Sequence, residues 1–205
     1  MDVEFCRTGV RRYAVRATPS GCPTLVMDPA PGYDSALPHD LVHYVVEEEL
    51  GLSRGVFGQL AAGGDAGTFY LPPPSAHSRG WTRMKRRIKK RGEKLAAEGR
   101  SVGEFSERAA SICHHEWLAH SEVARSPRAA AQAASSLARA WSLCSDAERN
   151  VLSPAVIARI CARFDELSAR WSELDVGESI TLTWRPPYRS AAQPTPTAYA
   201  LAPRH

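Results

Sequence analysis

Gly177-Glu178-Ser179-Ile180-Thr181-Leu182-Thr183-Trp184 alternates apolar with polar side chains, the pattern of a strand buried on one face. It follows a long helical stretch, so its partners must lie elsewhere in the chain. The N-terminal residues offer them: Val3 and Phe5, then Val10, Tyr13, Val15 and Ala17, then Leu25, Val26 and Met27, broken at Thr8-Gly9 and at Pro19-Ser20-Gly21. Two or three antiparallel strands fit those runs. The expected fold is therefore α+β, a mostly helical bundle packed on a small antiparallel sheet of N-terminal strands and one C-terminal strand.

Between the two ends the chain reads as helices. Pro38 suits the first turn of a helix running to Leu50, with Ser35 or Asp34 as caps and Gly51 just past its end. A short helix is expected from Arg54 to Ala62, stopped by Gly63-Gly64. Glycines and the Pro72-Pro73-Pro74 run then make residues 63 to 80 a loop. Longer helices are expected at 81–98, 102–121, 127–144 and 153–173, the last opened by Ser153-Pro154. Residues 1–185 read as a single globular domain. From Pro186 onward Pro, Ala, Thr and Ser dominate, and 186–205 read as a disordered tail.

The composition of the 205 residues, 43% hydrophobic and 23% charged, is that of an ordinary globular chain and excludes neither an enzyme nor a binding module. The first residues lack the basic start and apolar run of a secretory signal, and no stretch is apolar enough for a membrane helix, so a cytoplasmic protein with no membrane span is expected. Cys6, Cys22, Cys113, Cys144 and Cys161 are odd in number and form no C-x-x-C pair, which argues against a disulfide framework or a closed cysteine zinc site. No nucleophile motif, phosphate-binding glycine loop or dinucleotide fingerprint supports a kinase, nucleotidase or dehydrogenase.

The chemistry concentrates in the helix after Pro38. His39, His43 and Glu47 recur at every fourth residue and so lie one above the other, opposite Leu41, Val42, Val45 and Val46. Imidazole and carboxylate are ligands that zinc and iron accept. In this reading His39 and His43 hold a divalent metal, zinc or iron, and Glu47 is a further ligand or general base. The competing reading makes Glu47, Glu48 and Glu49 a solvated acidic run. Glu49 falls on the apolar side and must reach solvent, pair or stay protonated. A second cluster, Cys113-His114-His115-Glu116-Trp117-Leu118-Ala119-His120, is not H-E-x-x-H; its useful pair is Glu116 with His120, on the same face as Phe105, Ala109, Ile112 and Cys113. Pointing inward, Glu116 as catalytic carboxylate and His120 as ligand would complete the metal site, or Glu116 would simply bond His120.

His39-Asp40-Leu41-Val42-His43, followed by Gly55-Val56-Phe57-Gly58-Gln59-Leu60-Ala61, resembles the H-D-x-x-H zinc segment of the ubiquinone-biosynthesis Coq family. The resemblance covers roughly 25 residues, in a family that is otherwise all-helical. It implies His39, Asp40 and His43 as metal-site residues. That family's glycine-acid dipeptide, which supplies a further ligand, is matched here by Gly58-Gln59. The Ala, Arg and Gly usage of the whole chain is similar to that of small bacterial proteins.

Residues 83 to 100 carry nine Lys or Arg against Glu93 and Glu98, although the net charge of the chain is only +4. The protein thus has a basic patch on a mildly acidic body. Arg83, Lys85, Arg86, Arg87, Lys89, Lys90 and Arg91 spread round a helix with Met84, Ile88 and Leu95 as a thin apolar stripe. Two functions stand side by side: a small metal-binding protein and metal-dependent hydrolase, or a non-enzymatic module whose basic helix binds an acidic partner or nucleic acid. A bland alternative has those cations neutralise Glu47 to Glu49.

Overall fold

The computed structural model describes residues 1–74, 79–120 and 127–185; the expected tail at 186–205 lies outside them. Four strands, β1 (Asp2–Gly9), β2 (Arg12–Thr18), β3 (Leu25–Met27) and β4 (Ser179–Thr183), form an antiparallel sheet in the order β3-β2-β1-β4. The fold is α+β, as the pattern predicts, and the C-terminal strand does return to the N-terminal ones. Val3 pairs with Ala17 and Leu182, and Phe5 with Val15 and Ile180. Facing residues in such a ladder share a face, so the register lines up one apolar surface from three strands. On the other face Glu4 meets Arg16 at 3.0 Å.

Among the described residues, seven helices lie between β3 and β4: α1 (His39–Glu49), α2 (Val56–Ala61), α3 (Arg79–Glu98), α4 (Arg100–His120), α5 (Pro127–Ser142), α6 (Asp146–Val151) and α7 (Pro154–Ser172). Tyr44 of α1 meets Phe5 edge-on at 5.9 Å and Trp184 at 5.5 Å, while Phe57 of α2 stands 6.1 Å from Phe5. Trp171 of α7 meets Tyr13 at 6.0 Å. On its far side α1 packs against α4, which also carries α5 and α7. Helix α1 is therefore the middle layer, with the sheet below and α4 above.

That placement covers both faces of α1. Every residue from Asp40 to Glu47 is buried, because the polar side of α1 looks at α4 and not at water. The acidic run is not a solvated patch either. Glu48 pairs with Arg163 at 2.6 Å, and Glu49 meets Arg163 at 3.5 Å and Arg159 at 3.7 Å, so both acids pin α1 to α7. Glu49 resolves its burial by pairing.

The helix expected to run to 144 stops at Ser142, and the separate helix α6 follows. Ser145 accepts from the Glu148 amide while Glu148 reaches back to the Ser145 amide, a reciprocal cap. Ser145-Asp146-Ala147-Glu148 carried that signal in the sequence. Before α1, Asp34 accepts from the amides of Ala36 and Leu37, but no side chain caps the helix itself.

Candidate functional site

Three side chains converge at the start of α1. Atoms of His39, His43 and Glu107 that can bind a metal all lie within 4.8 Å of one another, and His43 Nε2 is 3.5 Å from Glu107 Oε2. The histidine rings are neighbours one helical turn apart, with centroids 4.6 Å from each other. Glu107 comes from α4, which crosses above. His39 and Glu107 are exposed and His43 is buried, so the group opens to solvent on one side and is anchored on the other. Four ligands at zinc distances sit roughly 3.3–3.6 Å apart, a spacing the His43–Glu107 pair already has.

Glycine 32 seats His39. Its φ of +68° is left-handed, its carbonyl accepts from the His39 amide at 3.2 Å, and a Cβ there would come within 2.7 Å of His39 Cβ.

Behind His43 runs a buried chain of hydrogen bonds. Ser106 Oγ lies 3.4 Å from His43 Nδ1 and donates to Glu47 Oε1 at 2.8 Å. Glu47 in turn accepts from the amides of Val56 at 2.8 Å and Phe57 at 2.9 Å, satisfying the first free N–H groups of α2. The carboxylate fills the space beside Gly55, where a Cβ would lie 2.2 Å from Glu47 Cδ. Any side chain at 55 would evict it.

This chain selects a tautomer of His43 according to the charge on Glu47. When Glu47 is ionised, Ser106 gives its one hydroxyl proton to Glu47, so its lone pair faces His43 and calls for Nδ1–H. Nε2 then directs a lone pair at the Glu107 carboxylate. Burial, with His39 adjacent, pushes His43 down to about 3, so the ring is neutral at pH 7. Two electron-rich groups face each other there, an arrangement that a cation would relieve. Burial pushes Glu47 up to about 7 against its three hydrogen bonds, which favour the ionised form.

The remaining expected residues fall elsewhere. Glu47 is not in the ligand group; it is fully buried one hydrogen bond behind it. Asp40 turns into the core and meets Tyr13 Oη at 2.5 Å. Burial raises the Asp40 carboxyl, and the Tyr13 hydroxyl sits between two acceptors, Asp40 Oδ2 and Pro31 O, the latter at 2.6 Å. Gln59, which the family resemblance aligns with a ligand, instead donates to Arg54 O at 3.0 Å.

Glu116 and His120 do not join His39 and His43. They stand nine and thirteen residues beyond Glu107 on α4, about 13 and 20 Å along a helix at 1.5 Å per residue. His120 is exposed and Glu116 half-buried. His120 Nδ1 lies 2.8 Å from the Glu116 carbonyl, not from its carboxylate. Both line a separate cleft of about 840 Å³ with Trp117, Trp141 and Cys161. The inward direction expected for them fails because that end of α4 borders the cleft and not α1.

Sequence reasoning missed Glu107 and Ser106. Both lie in the run Gly103-Glu104-Phe105-Ser106-Glu107-Arg108, where a carboxylate on the polar side of a helix looks like any surface acid. The seven basic residues from Arg83 to Arg91 are all exposed on α3. No helix among the described residues is long and apolar enough to cross a membrane. Comparison with protein-family models, curated proteins and solved structures finds no match.

Proposed function

We propose that this chain is a divalent-metal protein in which His39, His43 and Glu107 hold one ion, leaving coordination positions open on the solvent side. The observation that carries the reading is the convergence of these three side chains from two helices. The Glu47–Ser106–His43 chain supports it, since metal-bound histidines characteristically have their second nitrogen held by such a partner. The H-D-x-x-H resemblance supports the two histidines. Zinc or iron suits the donor set of two imidazoles and a carboxylate, which is that of open, hydrolytic sites. Hydrolysis is the activity this reading favours: the ion polarises a water or a substrate oxygen at an open position.

Metal analysis of protein purified without chelator and reconstituted with zinc or iron(II) tests the proposal. One ion per chain is expected in the wild type, with at least a tenfold loss of affinity in His43→Ala, His39→Ala and Glu107→Gln. Wild-type protein that takes up no ion above trace, or a His43→Ala variant that keeps it, ends the reading. Hydrolysis of chromogenic phosphate and carboxylate esters, dependent on the added ion and lost in His43→Ala, separates an enzyme from a metal store.

A further inference from the structure

Helix α3 is only lightly embedded: of its twenty residues, Gly92 and Leu95 alone are buried. At 100° per residue, Arg79, Arg83, Arg86, Arg87, Lys90 and Lys94 fall within an arc of about 100°, and Trp81, Met84, Ile88, Gly92 and Leu95 fall within about 80° on the opposite side. The structure uses the second group for attachment. Gly92 Cα approaches Gly64 so closely that a Cβ on Gly64 would lie 2.9 Å from it. Ile88 packs against the core, and Trp81 Nε1 donates to Pro72 O at 2.9 Å. All six cations of the other arc are exposed.

Among the described residues, few of these cations have an acidic partner. The acids of α1, which could have neutralised this helix, are committed to Arg159 and Arg163 of α7 or, for Glu47, to the amides of α2. Among the described residues the one ion pair of the six is Lys94 with Glu98, at 3.6 Å. Arg79/Arg83, Arg83/Arg87, Arg86/Lys90 and Lys90/Lys94 are instead like charges one turn apart, which repel along the helix. A linear anion laid along the arc relieves that repulsion. The arc repeats every three or four residues, about 5–6 Å of rise, over roughly 22 Å.

We propose that the outward arc of α3 is a binding surface for the phosphate backbone of nucleic acid. The exposed charge is Arg-rich, and guanidinium groups match phosphate geometry. A lipid surface fits less well, because Ile88, Gly92 and Leu95 of the apolar side that an amphipathic helix would insert are already docked on the protein, leaving only Met84 exposed there. The contacts are to backbone and therefore independent of sequence. This inference stands whether or not a metal occupies the site on α1.

Fluorescence anisotropy of the full chain with mixed-sequence duplexes of DNA and of RNA, in 50 to 300 mM KCl, tests it. The two arms identify which nucleic acid is preferred. Log affinity should fall linearly with log salt, with a slope of about −3.6 to −5.4 on DNA for four to six phosphates neutralised. The Arg83→Gln, Arg86→Gln, Lys90→Gln triple variant should bind at least a hundredfold more weakly at 50 mM KCl, with a slope shallower by about 2.7. Lys85→Gln with Lys89→Gln, off the arc, should change affinity less than threefold. Far-UV circular dichroism monitors the helix; if the triple variant loses helicity, Arg86→Gln alone should shift the slope by about 0.9. The proposal is overturned if neither duplex is retained, if both sets of substitutions weaken binding alike, or if polyglutamate or phosphatidylserine vesicles bind as tightly as the duplexes.

Discussion

Glu47 touches no solvent, yet its charge state bears on both the site and the stability of the fold. Its folded-state pKa, pushed up to about 7, lies above the 4.5 of an unperturbed carboxyl. The native protein therefore holds that proton more tightly than the unfolded chain between these values. The group's contribution is fully present below pH 4.5 and is lost as pH rises through 7. His43 slopes the other way: its value is depressed to about 3 from 6.5, so its contribution is present above 6.5 and lost as pH falls. Comparing metal-free wild type with Glu47→Gln cancels the histidine. Denaturant unfolding at pH 5 and pH 8 should show the wild type losing roughly 2.5 kcal/mol more than the variant on going to the higher pH, at about 1.4 kcal/mol per pKa unit. Equal losses in the two proteins would place the ionisation elsewhere.

Between α1 and α4 the decisive contact is Ser106, a small hydroxyl at the crossing of two helices. It is 2% exposed and is the one side chain that joins the acid anchored at the start of α2 to the ring of His43. Ser106→Ala leaves His39, His43 and Glu107 in place but removes the acceptor that holds Nδ1–H. Metal affinity, read by competition with a chromophoric chelator, should fall 10- to 100-fold, the range for partners of ligating histidines. An unchanged affinity would show that His43 orients itself without the chain. At this scale the sequence was informative where periodicity and punctuation were strong. The alternation ending at Trp184, Gly51 after α1 and Ser153-Pro154 before α7 each marked an element. It was misleading where a helix is covered on both sides, since the wheel of α1 shows a polar face but not what that face meets. Two histidines of the site were legible from their spacing. Glu107 was not, because a ligand supplied by another helix is a property of the crossing and leaves no local pattern. Glu116 and His120 looked inward on the wheel of α4 for the same reason: an apolar side says that something lies there, and here it is a cleft toward α7.

Across the whole molecule, charge is sorted. Acids of α1 pair with α7, Glu148 of α6 with Arg108 of α4 at 2.5 Å, and Glu4 with Arg16 across the sheet, while α3 keeps its cations outside. Sequence composition announced the basic patch but could not say that the acids were already spoken for, because that depends on which helices become neighbours. The two proposed surfaces also differ in how they depend on the fold. The arc on α3 needs only one helix to form. The group on α1 and α4 needs both helices and their crossing, so it does not exist in the unfolded chain. An ion held there is consequently a removable cross-link between distant parts of the polypeptide, and mass action ties its occupancy to folding. Free metal at a hundred times its dissociation constant should stabilise the protein by about 2.7 kcal/mol. Thermal melts should therefore shift upward with added ion, return on chelation, and stay put in His43→Ala. A cell could then tune how long this protein persists by its supply of metal, without altering a single residue.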